Sequence, residues 1–255
     1  MPELDLNKPA GVLVKTTCVD FPGRVAGSFF LKGCNIRCPY CYNIGLVLTD
    51  AEMPAGIETE PLNTVAELFA HLEKRQGILS GLVISGGEPL LNPYTPVIIR
   101  KAKELGYKVK IDTNGTLPEK LRALIESPEL HPDFIAMDIK TTPSRYSTLI
   151  CGGASPFYGK TDYFEKVLKE SSELVAAYPA DSREWRTVLV PGLVTKDDIT
   201  EMAKLLPQDA SWQFAEFRNG NCLDPSYNDI YPYTDAEVKE LIEYAQQLVK
   251  GANLR

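Results

Sequence analysis

The chain has 255 residues, 44% of them hydrophobic and 24% charged, proportions that exclude a disordered, collagen-like or coiled-coil protein. Lysine and arginine number 27 against 34 acids, a formal charge of −7, which argues against a nucleic-acid backbone or an anionic membrane as the main partner. No apolar run approaches the ~18 residues of a membrane span, and the acidic start Met1-Pro2-Glu3-Leu4-Asp5 lacks the regions of a secretory signal, so a cytoplasmic chain is expected.

In chain order, Val25–Leu31 is a short apolar, partly β-branched strand ending at Gly33. Thr64 and Glu67 have capping-box spacing, and Val65, Leu68, Phe69 and Leu72 follow at helical intervals. Leu82–Ser85 reads as a second strand, closed by Gly86-Gly87, and a helix from about Tyr94 to Leu105 stops at Gly106. Tyr107–Asp112 is a third strand ended by Asn114-Gly115, with a helix opening at Pro118.

Asp133–Ile139 is a fourth strand and Thr161–Ala177 an amphipathic helix. Trp185–Val190, a helix over Asp197–Leu206, and Trp212–Phe217 continue the alternation. A last helix from Thr234 to about Val249 opens with a second capping box, Thr234 and Glu237. The stretch Leu46–Asn63 and the first twenty residues carry the weakest structural signals.

Six strands, most followed by a helix, predict an α/β fold with a parallel sheet. Periodicity leaves open whether that sheet is a partial barrel or doubly wound. In both, chemistry sits at the carboxyl ends of the strands, and here the strand ends carry a cysteine triplet, Gly-Gly-Glu-Pro, Asp-Thr-Asn-Gly, Asp-Ile-Lys, Val-Pro-Gly and Phe-Arg-Asn-Gly.

Of six cysteines, three fall within eight residues: Cys34, Cys38 and Cys41. Spacings of four and three let one loop present three thiolates to a single centre, and thiolates favour zinc or iron–sulfur clusters. A structural zinc takes a fourth protein ligand, and no further cysteine or histidine lies nearby in sequence. Three thiolates on a four-iron cluster would leave one iron open to an exogenous ligand. Closely spaced cysteines also occur as zinc knuckles or buried thiols. Cys18, Cys151 and Cys222 are scattered and read as free or buried thiols.

The pattern Cys34-x-x-x-Cys38-x-Tyr40-Cys41 resembles the signature of the radical SAM superfamily, and the resemblance runs from about Thr17 to Gly220. It implies a partial (β/α)6 barrel of the radical SAM type, taken as a single domain over residues 1–255 with an N-terminal extension and a C-terminal helix. It further implies a [4Fe–4S] cluster on Cys34, Cys38 and Cys41, with S-adenosylmethionine on the fourth iron. Tyr40 would lie near the adenine, and Gly86, Gly87, Glu88 and Pro89 resemble the segment that contacts the methionine amino group.

Asp112, Thr113 and Asn114, with Asp138, Lys140 and Arg186, resemble one branch in particular, the glycyl-radical-enzyme activating enzymes. There such residues surround the cosubstrate's carboxylate and ribose, and the resemblance extends to a monovalent cation held with help from the two aspartates. Thr17-Cys18-Val19-Asp20-Phe21-Pro22-Gly23-Arg24 resembles the activators' segment before the first strand. From Asp20 to Asn43 the likeness is greatest to the longer form of the anaerobic ribonucleoside-triphosphate reductase activating proteins, with Tyr42 standing where those relatives usually have histidine.

The implied activity is reductive cleavage of S-adenosylmethionine to a 5′-deoxyadenosyl radical that places a glycyl radical on a partner enzyme. A low-potential donor such as flavodoxin or ferredoxin would supply the electron. The other readings are a radical SAM enzyme acting on a small molecule or peptide, and a non-catalytic zinc or iron–sulfur module. No role is expected for nucleic acid or membrane.

Overall fold

The alternating strand and helix signals resolve into an α/β fold with a mostly parallel sheet, and the computed structural model describes residues 4–54 and 59–255. The chain divides into two units: residues 1–35, 43–113 and 120–135 form the first, and residues 36–42, 114–119 and 136–255 the second.

In the first unit, β1 (Pro9–Thr17) runs antiparallel to β2 (Ala26–Leu31), with Gly11 opposite Leu31 and Val14 opposite Ser28. Helix α1 (Ile44–Val47) follows, and β3 (Asn63–Thr64) pairs with β1 on its other side. The Thr64 side chain then caps α2 (Val65–Lys74) in the capping box that the sequence predicts, and α2 buries Val65, Leu68 and Leu72. Parallel pairing joins β2 to β4 (Gly81–Gly86), and after α3 (Thr95–Glu104) joins β4 to β5 (Lys108–Thr113).

Helix α4 (Pro118–Glu126) leads to β6 (Phe134–Asp138), whose start is fastened to β5 by the Asp133 N–H donating to Val109 O at 2.8 Å. Phe21, Ala26, Val83 and Phe134 form a buried cluster, with the Phe21 and Phe134 rings edge-on at 5.8 Å.

In the second unit, a one-turn helix α5 (Pro143–Arg145) runs into a π-helical turn, Tyr146–Ile150, and then α6 (Thr161–Ala176). Strand β7 (Arg183–Leu189) takes the Ile139 N–H on Arg186 O at 2.9 Å, just past the end of β6. Helix α7 (Lys196–Ala203), β8 (Ser211–Glu216), α8 (Asp235–Leu248) and β9 (Gly251–Leu254) complete the unit, with β7, β8 and β9 parallel. Trp185 and Trp212 stand opposite each other in register and are fully buried. Their indole N–H groups donate to Ser172 Oγ at 3.0 Å and Thr187 Oγ1 at 2.9 Å, as buried tryptophans require.

The six parallel strands predicted from sequence are β2, β4, β5, β6, β7 and β8, each within two residues of its predicted bounds. The first twenty residues depart from expectation, since β1 is a nine-residue strand. Within Leu46–Asn63, Leu46 and Val47 belong to α1 and Asn63 to β3, while residues 55–58 lie outside the described residues. Strand β9 was not foreseen.

Candidate functional site

Chain that leaves β2 enters the cysteine loop through Gly33, whose φ of 108° is open to glycine and strained for other residues. Gly33 N–H donates to Leu46 O at 2.7 Å. Further along the loop, in the second unit, Arg37 N–H donates to Ile150 O at 2.7 Å and Cys41 N–H to Cys38 O at 3.0 Å. The Leu223 and Asp224 N–H groups reach Cys41 O and Pro39 O at 2.8 and 2.9 Å. The cysteine-bearing backbone is therefore fixed by hydrogen bonds before any cofactor binds. Cys38 is buried, Cys34 and Cys41 are half-buried, and none of the cysteines is in a disulfide. Among the described residues no three His, Cys, Asp or Glu side chains converge as for a single metal ion; a four-iron cluster takes one thiolate per iron.

Leu31 and Gly86 are register partners, so the exits of β2 and β4 lie side by side. Gly87 N–H donates to Leu31 O at 2.9 Å and Glu88 N–H to Gly33 O at 2.8 Å. A side chain on Gly86 would collide with the Leu31 backbone, and one on Gly87 with the Gly33 backbone. What approaches the glycine pair here is the chain's own cysteine-bearing loop.

Glu88 is fully buried, and its Oε1 accepts from Leu90 N–H at 3.1 Å and from Thr113 Oγ1 at 3.0 Å. Pro89 opens a short 3₁₀ turn over Pro89–Leu91 and its carbonyl accepts from Thr95 Oγ1. Asp112 Oδ1 accepts from Lys110 Nζ at 2.6 Å, and the Lys110 ammonium also lies 5.7 Å from the centre of the Phe134 ring. Thus Glu88, Asp112 and Thr113 stand with Cys34 in the first unit.

In the second unit Asn114 Oδ1 accepts from Thr116 N–H at 3.0 Å and Thr116 Oγ1 at 2.6 Å, a side-chain turn that holds Asn114 in place. Asp138 receives two cations: Arg186 Nε at 2.8 Å on Oδ1 and Lys140 Nζ at 3.2 Å on Oδ2. Burial pushes the Asp138 carboxyl up, but the Arg186 and Lys140 charges prevail and hold it well below the usual carboxylate range. Burial works against the Lys140 ammonium, while Asp138 and then Cys38 drive its pKa well above the usual lysine value.

Tyr40 is buried in the same electrostatic neighbourhood. Burial raises its phenol well above the ordinary value, with the Lys140 charge opposing. Among the described residues its hydroxyl has no hydrogen-bond partner, a costly state for a buried polar atom. In the second unit, a buried phenol without a described partner beside the thiols of Cys38 and Cys41 is donor chemistry that a cluster and a polar cosubstrate would fit.

Cys151 is buried with its thiol donating to Ser147 O at 3.2 Å, and burial pushes its pKa up, the state of an inert thiol. Cys222 is also buried and Cys18 is exposed.

Two residues that sequence reasoning missed emerge from the geometry. Lys110 shares its strand face with Asp112 at i, i+2, the same signal that marks Asp138 and Lys140. Tyr146 is fully buried and accepts the Lys140 N–H at 2.9 Å, and no periodic pattern pointed to it.

Comparison with known proteins gives one family and several relatives. Residues 28–206 match the Radical SAM superfamily. The Methanocaldococcus jannaschii protein named "Putative glycyl-radical enzyme activating enzyme MJ1227" is 29% identical over 95% of this chain and 94% of its own length. The pyruvate formate-lyase-activating enzyme of Staphylococcus epidermidis is 28% identical over 73% of this chain and 69% of its own.

Among solved structures, QueE from Escherichia coli aligns with a TM-score of 0.51 at 15% identity, over 98% of this chain and 91% of that one. Streptococcus suis SuiB aligns at 0.54 and 19% identity over 89% of this chain, which spans 46% of SuiB's length. At these identities the two structures speak to fold alone. With a match over residues 28–206 and the corresponding fold, this chain belongs to the radical SAM superfamily.

Proposed function

We propose that this chain is a radical SAM activating enzyme that generates a glycyl radical on a partner enzyme. The observation that carries this reading is likeness over almost the whole of both chains to a protein named for that activity. The superfamily implies a [4Fe–4S] cluster and S-adenosylmethionine, which when bound supply a 5′-deoxyadenosyl radical by reductive cleavage. The chain's part is to hold, orient and shield.

In this reading Cys34, Cys38 and Cys41 hold iron, and Tyr40 lies against the cosubstrate. The Lys140 and Arg186 side chains beside Asp138 suit an anionic carboxylate. Glu88, oriented by Thr113 and Leu90, suits an ammonium. Asn114 has its Oδ1 engaged by Thr116, which fixes the orientation of its amide. Asp112 comes to the site already held by Lys110.

The partner in this proposal is a glycyl-radical enzyme, anaerobic ribonucleotide reductase being the first candidate. Flavodoxin or ferredoxin supplies the electron. The test is electron paramagnetic resonance of anaerobically reconstituted, reduced protein with and without S-adenosylmethionine, followed by mixing with candidate partners. A cluster signal that shifts with the cosubstrate, and then a glycyl doublet, are expected. Cosubstrate cleavage with no doublet on any candidate would move the assignment to a small-molecule or peptide substrate. Stoichiometric zinc with no cluster signal would overturn it outright.

A further inference from the structure

At the end of β6, Asp138 and Lys140 are two residues apart and their side chains meet at 3.2 Å. The buried backbone groups of this segment need partners. On one edge Ile139 N–H donates to Arg186 O at 2.9 Å, and Ile139 O accepts from Thr187 Oγ1 at 2.7 Å. At the two flanking residues stands the side chain of Tyr146. The Tyr146 hydroxyl accepts Lys140 N–H at 2.9 Å and donates to Asp138 O at 3.3 Å.

Tyr146 opens the π-helical turn Tyr146–Ile150, closed by Cys151 N–H on Tyr146 O at 2.9 Å. Single π turns inside helices are costly and cluster at functional sites. The other end of this turn offers Ile150 O to Arg37 N–H at 2.7 Å, next to Cys38. Gly152, with φ of 80°, closes the arrangement where a side chain would press on Arg37. Five residues thus brace both the Asp138–Lys140 exit and the Cys38 arm of the cysteine loop.

We infer that Tyr146 is a positioning residue for the cosubstrate site: its hydroxyl holds the exit of β6 so that Lys140 and Asp138 meet Arg186 in register. This rests on the reading of Asp138, Lys140 and Arg186 as cosubstrate anchors. Tyr146 itself need touch neither cosubstrate nor iron.

The test uses Tyr146→Phe, which removes the hydroxyl and keeps the ring, measured in wild-type and Lys140→Met backgrounds. In the reconstituted protein, Tyr146→Phe should retain its iron content while its Kd for S-adenosylmethionine rises about five- to tenfold, the factor that one neutral hydrogen bond carries. In the Lys140→Met background the same change should have almost no further effect, because Tyr146 acts through Lys140. In the protein without cofactors, hydrogen exchange of the Lys140 amide should quicken in Tyr146→Phe while that of Ile139 is unchanged.

A full tyrosine effect persisting in the Lys140→Met background would overturn the proposal, as would unchanged binding in Tyr146→Phe when Lys140→Met alone weakens it. If Lys140→Met and Arg186→Met both bind the cosubstrate as wild type does, the anchor reading itself falls, a result separable from the first two.

Discussion

Lys110 Nζ lies 2.6 Å from Asp112 Oδ1 with the lysine side chain wholly buried and the aspartate side chain 9% exposed. A lysine so placed is costly to desolvate and is held by its carboxylate partner and by the Phe134 ring face. Removing one member of a buried pair costs more than replacing both. Lys110→Met should therefore destabilise the protein by about 3–5 kcal/mol, and adding Asp112→Asn should recover most of that loss. Urea unfolding of the three proteins decides it, and equal losses in the single and double variants would contradict the pairing.

Asp138 makes stability depend on acid. Its folded pKa is depressed by Arg186 and Lys140 acting against burial, so its contribution is whole above the ordinary carboxylate pKa of about 3.9. The contribution is lost as pH falls from there towards the folded value. The stability lead of wild type over Asp138→Asn should be constant from pH 7 to about pH 5 and then shrink by at most about 1.4 kcal/mol per unit. Unfolding of cofactor-free protein at stepped pH measures this, and a lead undiminished at pH 3 would contradict it.

Much of the fold could be read from local chemistry. The capping boxes at Thr64 and Thr234 form as their spacing predicts, and the strands between them follow from short apolar runs closed by glycine. A third box, Thr195 with Asp198, went unread because its partner is aspartate rather than glutamate. Strand β1 has no clean alternation, and its existence depends on pairing with β2 and β3, which is tertiary information. Gly-Ala-Asn-Leu of β9 is a poor strand former that is ordered beside β8.

The expected site was readable where chemistry is local, as in the cysteine triplet and the pair Asp138 and Lys140, whose side chains meet at 3.2 Å. It was not where burial reverses the usual meaning of a residue. Lys108, Lys110 and Asp112 alternate with Val109 and Ile111 along β5, and nothing in that pattern tells that Lys110 and Asp112 are buried. Tyr146 sits among threonines and serines with no periodicity, and only the folded backbone brings its hydroxyl to Lys140.

The orphaned Tyr40 hydroxyl gives a prediction of opposite sign in the two states of the protein. Without cofactors, Tyr40→Phe should stabilise by about 1 kcal/mol, since it removes a buried polar atom that has no partner among the described residues. With cluster and S-adenosylmethionine bound, that gain should shrink or reverse as the wild-type phenol finds an acceptor or donor. Chemical denaturation with and without the cosubstrate gives both numbers. An identical gain in the two states would show that the hydroxyl meets nothing in the loaded site.

Iron content separates the cysteines by environment. Cys34, Cys38 and Cys41 share one hydrogen-bonded loop, whereas Cys151 is buried with its thiol on Ser147 O and Cys222 is buried with its N–H on Asn228 Oδ1. Alanine at any of the first three removes one of the three thiolates proposed to hold iron, and anaerobic reconstitution should then give well under the roughly four irons per chain of an intact cluster. Alanine at Cys18, Cys151 or Cys222 should leave iron and labile sulfide unchanged, with a small stability loss at the two buried positions. Iron retained in Cys38→Ala, or lost in Cys151→Ala, would place the cluster on a different set of thiols and move the whole site with it.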